Sequence, residues 1–497
     1  MAVAKVCGIE TEYGITVHGV RDANPITASS ILINAYINEL HGNVGWDFVD
    51  ETPGNDARGF ARESFPPSEV ESHLVNTVLT NGARYYVDHA HPEYSSPECI
   101  SPREAVIYDK AGEEVLRTSM SAALRSMPVG QEIVVYKNNS DRKGNSYGCH
   151  ENYLLDRALP FGKLVKFITP FFVTRQVMVG AGKVGTESPQ VPRGQVPFQL
   201  SQRADFFEEE VGLETTLKRP IVNTRDEPHA DASRYRRLHV ILGDANMSEV
   251  SSYLKVGTTA IVLSMIEDGF MDDLDLSLND PVSSLRHVSY DVSLKRQLRL
   301  KSGKRMTALE IQRAVFERAE AYRDGHGLGS VGLEGDGDSV LTLWGEVLDA
   351  LETDPMQLSD TLDWVAKYRL VSGYRDRNGL DWDDSKLAAI DLQYHDIRPT
   401  KSLFYRLGVR TILGEEEVKA AVTQPPENTR AYFRGKCLER FGDYIAAANW
   451  DSMIFDLGSD PLRRVPMMDP LKGTRDHVGK LFDESANPAQ LLDSLGS

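Results

Sequence analysis

Arg84, Tyr86 and Asp88 bring together three side-chain types that can do chemistry: a guanidinium, a phenol and a carboxylate. They occupy every second position, so in an extended strand they share one face over about 13 Å, with the intervening residues on the other face. Pro92 is expected to end the strand just before a second carboxylate, Glu93. The pattern predicts a strand that leads into an active-site loop, although a strand face that is merely wetted by solvent would have the same composition.

A second strand with acidic residues is predicted at residues 8–15. Glu10 and Glu12 share one face of this strand, while Ile9 and Thr11 lie on the other. Two carboxylates side by side repel each other unless a cation or a proton lies between them, and hard divalent cations such as Mg²⁺ prefer carboxylate oxygens. The pair is therefore either an exposed acidic edge or a platform for Mg²⁺.

Longer motifs follow each other along the whole chain. They are GIETEYG at 8–14, NGARYYVDHAHPEY at 81–94, YKNN at 136–139, SYGCHENYL at 146–154, FQLSQRAD at 198–205, NTRDEPHAD at 223–231, HVILGDAN at 239–246 and RAYFRG at 430–435. Together they resemble the Pup ligase and deamidase family, whose members handle the small ubiquitin-like protein Pup in actinobacteria. Because that family is similar in fold to glutamine synthetase, the resemblance implies an α+β fold in which a curved antiparallel sheet, packed by helices, cradles ATP and Mg²⁺.

The resemblance implies an ATP- and Mg²⁺-dependent hydrolase with two related reactions. One removes Pup from pupylated proteins by cleaving the isopeptide bond between the side chain of Pup's C-terminal glutamate and a lysine. The other deamidates a C-terminal glutamine of Pup to glutamate, so both reactions are hydrolyses at a γ-carbonyl. Two alternatives stay open, a Pup–protein ligase on the same platform and a catalytically silent adaptor that binds Pup.

The resemblance also implies roles for individual residues. Asp88 is the expected catalytic residue, as a general base, as a nucleophile or as an aid to attack by phosphate. The expected metal ligands are Glu10, Tyr86 and Glu93, with Glu12 as a further candidate. The expected nucleotide contacts are Arg84, Ser96 and Trp450.

Two histidines and two arginines are further candidates for the region that binds metal and phosphate. His150 and His239 would each pass for a structural histidine if taken alone, and the resemblance favours a place near Mg²⁺ or the nucleotide. Arg203 and Arg225 are planar donors suited to phosphate or carboxylate, while surface ion pairs would explain them equally well. We expect one of these two arginines at the reaction centre.

The segment from Asn24 to Val75 has poor periodicity apart from a helical piece at Ile31–Leu40. Glycine, aspartate and proline, including the Pro66–Pro67 pair, dominate the rest, which predicts a long loop. Its place matches the insertion that distinguishes the deamidases of the family from the ligases.

Pro425–Pro426 is the clearest boundary near the C-terminus. We expect a large domain over residues 1–425, which binds ATP and Mg²⁺ and holds the catalytic residues, and a small domain over residues 426–497. Trp450 could fill the core of the small domain, since large aromatic residues usually do. Its match to the family implies instead that the small domain is part of the ATP site.

Composition narrows the class of partner. With 73 acidic and 55 basic residues the net charge is −18, which argues against binding to a phosphate backbone, so no nucleic-acid partner is expected. The expected partners are Pup and pupylated proteins, and the resemblance implies that free Pup is acidic and largely disordered. A basic cluster could steer such a partner or pair with Glu208–Glu210. Its residues are Lys218, Arg219, Arg234, Arg236 and Arg237.

The sequence shows neither a signal-like N-terminus nor an uncharged apolar run of about 18 residues, which predicts a soluble cytoplasmic protein that does not bind a membrane. We expect a monomer. The four cysteines lack metal-ligand spacing, so free thiols are predicted.

Overall fold

A curved ten-stranded sheet forms the centre of the computed structural model, which describes residues 1–40, 44–49, 51–61, 74–192, 194–458 and 461–495. In spatial order its strands are β15 (Tyr235–Val240), β10 (Cys149–Asp156), β1 (Cys7–Glu12), β8 (His91–Ser95), β7 (Arg84–Asp88), β6 (Asn76–Val78), β3 (Val44–Trp46), β18 (Ile445–Ala448), β19 (Ser452–Phe455) and β20 (Arg463–Pro466). Neighbouring strands are antiparallel except β3 and β18, which are parallel. This sheet and its covering helices confirm the predicted α+β fold.

The remaining strands form two-stranded pairs. They are β2 (Gly14–His18) with β9 (Glu132–Tyr136), β4 (Asn55–Asp56) with β5 (Phe60–Ala61), β11 (Lys183–Val184) with β12 (Phe198–Gln199), β13 (Phe207–Gly212) with β14 (Arg219–Asn223), and β16 (Leu298–Arg299) with β17 (Arg305–Met306). The predicted strand at residues 8–15 is therefore divided at Tyr13. Its second half leaves the main sheet and pairs with β9.

Helices cover the sheet. In chain order they are α1 (Pro25–Ile37), α2 (Pro102–Ser126), α3 (Phe161–Thr174), α4 (Gln176–Val179), α5 (Glu249–Glu267), α6 (Pro281–Ser289), α7 (Ala308–His326), α8 (Asp336–Thr353), α9 (Asp363–Asn378), α10 (Ser385–Tyr394), α11 (Leu403–Arg406), α12 (Glu415–Ala421), α13 (Ala431–Phe441), α14 (Arg475–Glu484) and α15 (Pro488–Leu495). Short 3₁₀ helices lie at Ala204–Phe206, Pro355–Leu358 and Gly442–Tyr444. No helix of the described residues is long and apolar enough to cross a membrane.

One face of the sheet is apolar and the other carries the polar residues. Ile9 and Leu238 belong to a core that includes most of α5. Tyr85 and Tyr94 pack in a second core with Val115 of α2. Because side chains alternate along a strand, the intervening polar residues of β1, β7, β8 and β10 project from the opposite face. The four cysteines are buried free thiols, as predicted.

Pro92 does not end the strand, contrary to the prediction. The chain turns at His89 and Ala90, where His89 has a φ of 51°, and β8 then pairs back on β7 with Pro92 opposite Val87. The carbonyl of Pro92 accepts from the N–H of Tyr13, and the carbonyl of Tyr13 lies 3.0 Å from Nδ1 of His91. Proline has no N–H to donate to the carbonyl of Tyr13, and the side chain of His91 lies beside that carbonyl instead. Pro92 also lies where the pairing of β8 with β1 ends, a position at which proline is tolerated.

The described part of the segment from 24 to 75 is more regular than the predicted loop. Helix α1 begins at Pro25 rather than at Ile31, because the side chain of Asn24 accepts from the N–H groups of Ile26 and Thr27 and proline suits the first turn. Further along, β3 joins the main sheet beside β6. The Pro66–Pro67 pair lies outside the described residues.

The C-terminal strands β18, β19 and β20 extend the main sheet beyond β3. Their core combines Phe433, Met453 and Phe455 with Trp46 and Val78 from the N-terminal part. The boundary at Pro425–Pro426 stays a prediction. Residues from both sides of it share the main sheet and this core.

Candidate active site

Three carboxylates meet on the polar face of the sheet. Glu12 at the end of β1 is paired with Glu93 of β8, and Glu93 is paired in turn with Tyr86 of β7, two residues before Asp88. One carboxylate oxygen from each of Glu12, Asp88 and Glu93 lies within 4.8 Å of the others. The hairpin between β7 and β8 thus brings together acidic residues from three adjacent strands.

The electrostatics of this cluster favour a bound cation. Burial, together with the charges of Asp88, Glu12 and Glu10, raises the pKa of Glu93 well above its ordinary value. The Tyr86 hydroxyl donates to Glu93 at 2.6 Å. In the described part of the chain, no lysine or arginine forms a salt bridge with Glu12, Asp88 or Glu93. A set of oxygen ligands that no lysine or arginine pairs with fits a hard divalent cation such as Mg²⁺.

Asp88 differs from Glu93 in its surroundings. Its side chain is 36% exposed at the end of β7, and Nδ1 of His89 lies 2.8 Å from its carboxylate. Burial opposes ionisation, but the contact with His89 and the nearby positive charges outweigh it, so the pKa of Asp88 lies below its ordinary value. Asp88 is therefore an ionised carboxylate that solvent and substrate can reach.

A second group lies next to the first, where Glu10, His150 and His239 offer ligand atoms within 4.8 Å of one another. Asn152 connects them, because its amide donates to Glu10 at 2.7 Å and its oxygen lies 3.0 Å from Nδ1 of His239. Burial, and then the charge of Arg237, lowers the pKa of His239 well below its ordinary value, which keeps the imidazole neutral. The hydrogen bond from His150 and nearby positive charges outweigh burial and hold the pKa of Glu10 well below its ordinary value.

A pocket opens on the Glu10 side of the sheet. It is lined by Glu10, Ser96 and Trp450, three of the predicted site residues. The Ser96 hydroxyl accepts from the N–H of Ile9 at 2.9 Å, and Trp450 packs edge-on against Trp46, with 5.2 Å between ring centroids. The half-buried indole of Trp450 and the polar groups of Glu10 and Ser96 thus line the same pocket.

Arg84 lies between two rings rather than in the lining of that pocket. Its guanidinium carbon is 4.0 Å from the Trp46 ring centroid and 3.9 Å from that of Tyr86. Its Nε donates to Asn76 at 2.9 Å. This stacking holds the Arg84 guanidinium beside Tyr86, whose hydroxyl donates to Glu93.

A larger cavity lies on the other side of the carboxylates, and Glu12, Asp88, His150 and Arg203 line it. Arg225 does not line this cavity, and its buried Nε has no hydrogen-bond partner among the described residues. The structure therefore brings Arg203, and not Arg225, to the cavity that contains Asp88.

The basic cluster does not form one surface. Arg234 pairs with Asp469 at 3.0 Å, buried Arg236 donates to the carbonyl of Leu159, and Arg237 donates to Asn152 of the Glu10 group. Lys218 and Arg219 line the large cavity instead. In the part of the chain that the structure describes, none of the five forms a salt bridge with Glu208–Glu210. Successive side chains of a strand point to opposite faces, so basic residues that are close in sequence reach different parts of the molecule.

Asn152, Arg237 and Gly148 are site residues that sequence reasoning missed. Asn152 shares a strand face with His150, and Arg237 with His239, so the period of two could have found both. The N–H of Gly148 donates to Glu12 at 2.8 Å, and a Cβ there would lie 2.2 Å from Nε2 of His150. A larger residue here would force the side chain of His150 or Glu12 to shift.

Comparison with known proteins identifies the family. A family model described as Pup-ligase protein matches residues 5–454. The chain is 53% identical to a depupylase from Acidothermus cellulolyticus and 48% identical to a Pup deamidase/depupylase from Mycolicibacterium smegmatis, each over 99% of both chains.

Solved structures agree with the sequence match. A complex of Pup with its ligase PafA has a TM-score of 0.80 at 33% identity, covering 99% of this chain and 94% of that one. The PafA ligase in complex with ADP has a TM-score of 0.75 at 35% identity, covering 85% of this chain and 96% of that one. Sequence and fold together show that the chain belongs to the Pup ligase and deamidase family.

Proposed function

We propose that the chain is an ATP- and Mg²⁺-dependent hydrolase that cleaves the isopeptide bond between Pup and a substrate lysine and deamidates a C-terminal glutamine of Pup. The observation that carries this proposal is the cluster of Glu12, Asp88 and Glu93 between a small pocket and a large cavity. It is supported by relatives that match over the whole chain, which are named for depupylation and deamidation.

Asp88 is the proposed catalytic residue because it is ionised and accessible from the large cavity. As a general base it takes a proton from water, whose oxygen adds to the γ-carbonyl carbon. The C–N bond then breaks, and the proton leaves with the lysine amine or with ammonia. As a nucleophile its oxygen attacks the same carbon, and the C–N bond breaks as the nitrogen takes a proton from water and leaves as the lysine amine or ammonia. The hydroxide that remains then opens the anhydride and regenerates the Asp88 carboxylate. Both routes need the short, solvent-facing carboxylate at the end of β7.

Glu12, Glu93 and Glu10 are the proposed holders of Mg²⁺, and Tyr86 positions Glu93 through its hydrogen bond. When bound, the ion supplies positive charge that neutralises the carboxylates and polarises an oxygen ligand. His150 and His239 complete the Glu10 side, where Asn152 holds both Glu10 and the neutral imidazole of His239.

We place the nucleotide in the pocket lined by Ser96 and Trp450, on the Glu10 side. The related ligase PafA has been solved with ADP, which supports a nucleotide site in this family. Trp450 offers a ring on which a base can stack, and Arg84 and Arg225, whose charges both act on Glu51, are further proposed cations for the phosphates. The buried, unpartnered Nε of Arg225 fits a ligand oxygen.

Pup is the proposed partner, as it is for the related ligase that was solved in complex with it. Pupylated proteins as substrates, a monomeric state and a cytoplasmic location belong to the same proposal.

The experiment that tests the function uses two substrates, a pupylated protein and Pup that ends in glutamine, each with and without Mg²⁺–ATP. Nucleotide-dependent release of the unmodified protein, and of ammonia from Pup, is the expected result. A ligase would instead join glutamate-ended Pup to a protein, and a silent adaptor would bind Pup without turnover. Either outcome contradicts the proposal.

A further inference from the structure

Two arginines in the wall of the large cavity converge on one residue, Ser146. Nε of Arg203 donates to the Ser146 hydroxyl at 3.2 Å, and Nη2 of Arg219 donates to the Ser146 carbonyl at 2.8 Å. Both arginines line the cavity that contains Asp88. The two guanidinium groups lie close together because both donate to Ser146, which lies in the turn before β10.

Neither guanidinium has a carboxylate partner. Arg203 is only 1% exposed, and its Nη1 donates to the carbonyl of Ile241, which is a neutral acceptor. Half-buried Arg219 uses Nε on the carbonyl of Thr215 at 2.8 Å, another neutral acceptor. In the described ranges of the chain, no salt bridge reaches either arginine. A buried cation without an anion is costly, so two such cations side by side form a site that lacks its anion.

The positive charges of the two arginines repel each other. Burial, and then the charge of Arg219, lowers the pKa of Arg203 to about 10. Burial likewise lowers the pKa of Arg219. Glu12 is a nearby carboxylate that favours both cations, yet its oxygen accepts from Gly148 and belongs to the carboxylate cluster. A small oxyanion between the two guanidiniums would remove this repulsion.

We infer that Arg203 and Arg219 bind the free α-carboxylate of the substrate's C-terminal residue. The inference rests on the proposed function, in which the reaction at the side chain leaves that α-carboxylate free. In a glutamate or glutamine residue the α-carboxyl carbon and the γ-carbonyl carbon are separated by at most about 5 Å, from bond lengths near 1.5 Å. Glu12 has a carboxylate oxygen within 4.8 Å of one from Asp88, and both residues line the same cavity as Arg203 and Arg219. A residue bound in this cavity can therefore present its side-chain carbonyl to Asp88 and its α-carboxylate to the arginines.

This subsite explains how the enzyme distinguishes a C-terminal residue from an internal one. An internal glutamine has a peptide bond in place of the α-carboxylate and offers no charge to the arginines. Arginine binds carboxylate with two parallel hydrogen bonds, which makes the contact selective for a planar anion. The pair is therefore a specificity determinant, and Asp88 remains the catalytic residue.

The test compares the affinity of two forms of synthetic Pup that end in glutamate, one with a free α-carboxylate and one with an α-carboxamide. The parent enzyme is expected to bind the acid form at least about tenfold more tightly, as for hydrogen bonds between charged groups. Arg219→Gln should bring this ratio close to one, and Arg219→Lys should give an intermediate ratio. Arg203 is a poorer choice because it also holds the carbonyl of Ile241.

Lys143→Gln is the matched control, because Lys143 is an exposed cation that lines the same cavity. It should keep the discrimination between the two forms. Equal affinity of the parent enzyme for both forms would overturn the inference, as would equal weakening of both forms by Arg219→Gln. A titration with inorganic phosphate separates a phosphate site from a carboxylate site. Phosphate binding that Arg219→Gln abolishes, together with equal affinity for the two Pup forms, would contradict the carboxylate assignment.

The outcome is independent of turnover because the readout is binding. If Pup binds with the expected discrimination but neither the isopeptide nor the amide is cleaved, the subsite stands and the proposed hydrolysis is wrong. If cleavage occurs and the two Pup forms bind equally, the hydrolysis stands and the subsite is wrong.

Discussion

Asp88 and Glu93 illustrate how one strand hairpin gives two carboxylates different properties. Asp88 sits at the end of β7, where solvent and His89 stabilise its charge, so its pKa is low. Glu93 lies opposite Tyr86 and is 2% exposed, so its pKa is high. A low pKa suits a base or nucleophile that must be ionised, and a high pKa suits a ligand that becomes charged when a cation arrives.

Asp88→Asn should keep the shape of the site and lower the rate of isopeptide cleavage by at least about 10²-fold, because the amide can neither accept the proton nor attack the carbonyl. Cleavage of a pupylated protein measures this, and calorimetry with Mg²⁺–ATP should show that nucleotide still binds. Asp22→Asn is the control, since Asp22 lines the same cavity and is exposed. Near-normal cleavage by Asp88→Asn would remove Asp88 from the mechanism.

Binding of Mg²⁺ should release protons. Burial and neighbouring carboxylates raise the pKa of Glu93, so without metal this group holds a proton that the cation displaces. The apparent affinity for Mg²⁺ should therefore rise with pH until Glu93 is ionised without help. Calorimetric titration in buffers of different ionisation enthalpy counts the protons.

Glu93→Gln tests whether Glu93 is the source of those protons. The variant should bind Mg²⁺ more weakly and release fewer protons, because a neutral amide neither titrates nor balances the charge of a dication. Glu208→Gln serves as a control at an exposed position on the cavity wall. Proton release that persists unchanged in Glu93→Gln would show that another group titrates.

At the scale of elements, the alternation of residues on strands could be predicted from sequence, and strand pairing could not. The period of two correctly placed Glu10 with Glu12 and Tyr86 with Asp88 on shared faces. It could not show that β8 folds back at His89, because hairpin geometry depends on a left-handed residue that no glycine marks. Nor does any local signal join β3 to β18, which lie about 400 residues apart.

The same limit explains why neither the start of α1 nor the separation of the basic cluster could be predicted from sequence. Ile31–Leu40 displayed a helical pattern, but the start of α1 depended on the cap at Asn24, a polar residue outside the pattern. Arg219 and Arg237 are near in sequence, yet they belong to different strands and reach different sites. The residue types of the site can be predicted from the sequence, whereas the partners of these residues follow only from the arrangement of the strands.

Glu98 joins the N-terminal part of the sheet to helix α13. Its carboxylate is 2.7 Å from Nε of Arg430 and also pairs with Arg434, and both arginines are buried. Arg434 donates in addition to the carbonyls of Gly82 and Trp450. This network docks the C-terminal segment against the pocket that Trp450 lines.

Glu98→Gln should lower the free energy of unfolding by about 3 kcal/mol at pH 7, because it leaves two buried arginines without their anion. Burial opposes ionisation, but Arg434 and Arg430 outweigh it and lower the pKa of Glu98 to about 2. The stabilisation is therefore complete above the ordinary glutamate pKa of about 4.3 and is lost as the pH falls toward 2.

Denaturant unfolding at several pH values measures this difference between the parent and Glu98→Gln. Glu439→Gln provides the control on the same helix, since Glu439 pairs with Lys436 at an exposed position and should change stability by less than about 1 kcal/mol. A Glu98→Gln variant as stable as the parent at pH 7 would show that the pair does not dock α13.

At the scale of the whole molecule, the net charge and the cavity have opposite effects on an acidic partner. A net charge of −18 repels an acidic partner at long range. The rim of the large cavity carries exposed Lys143 and Lys218 near the arginine pair. Reversing Arg234 and Arg236 is not a useful test of steering, because Arg236 is buried and Arg234 is already paired with Asp469.

The double variant Lys143→Glu/Lys218→Glu should slow the association of Pup, because local positive charge at the cavity rim steers the encounter. The rate for the parent should fall as salt rises, and this dependence should flatten in the variant. Lys295→Glu/Lys301→Glu is the matched control, since both lysines are exposed, neither lines the cavity, and each pair of reversals lowers the net charge by the same amount. Stopped-flow association across salt concentrations separates the two effects. If both double variants slow binding equally, the net charge of the molecule governs the encounter and the rim of the cavity does not.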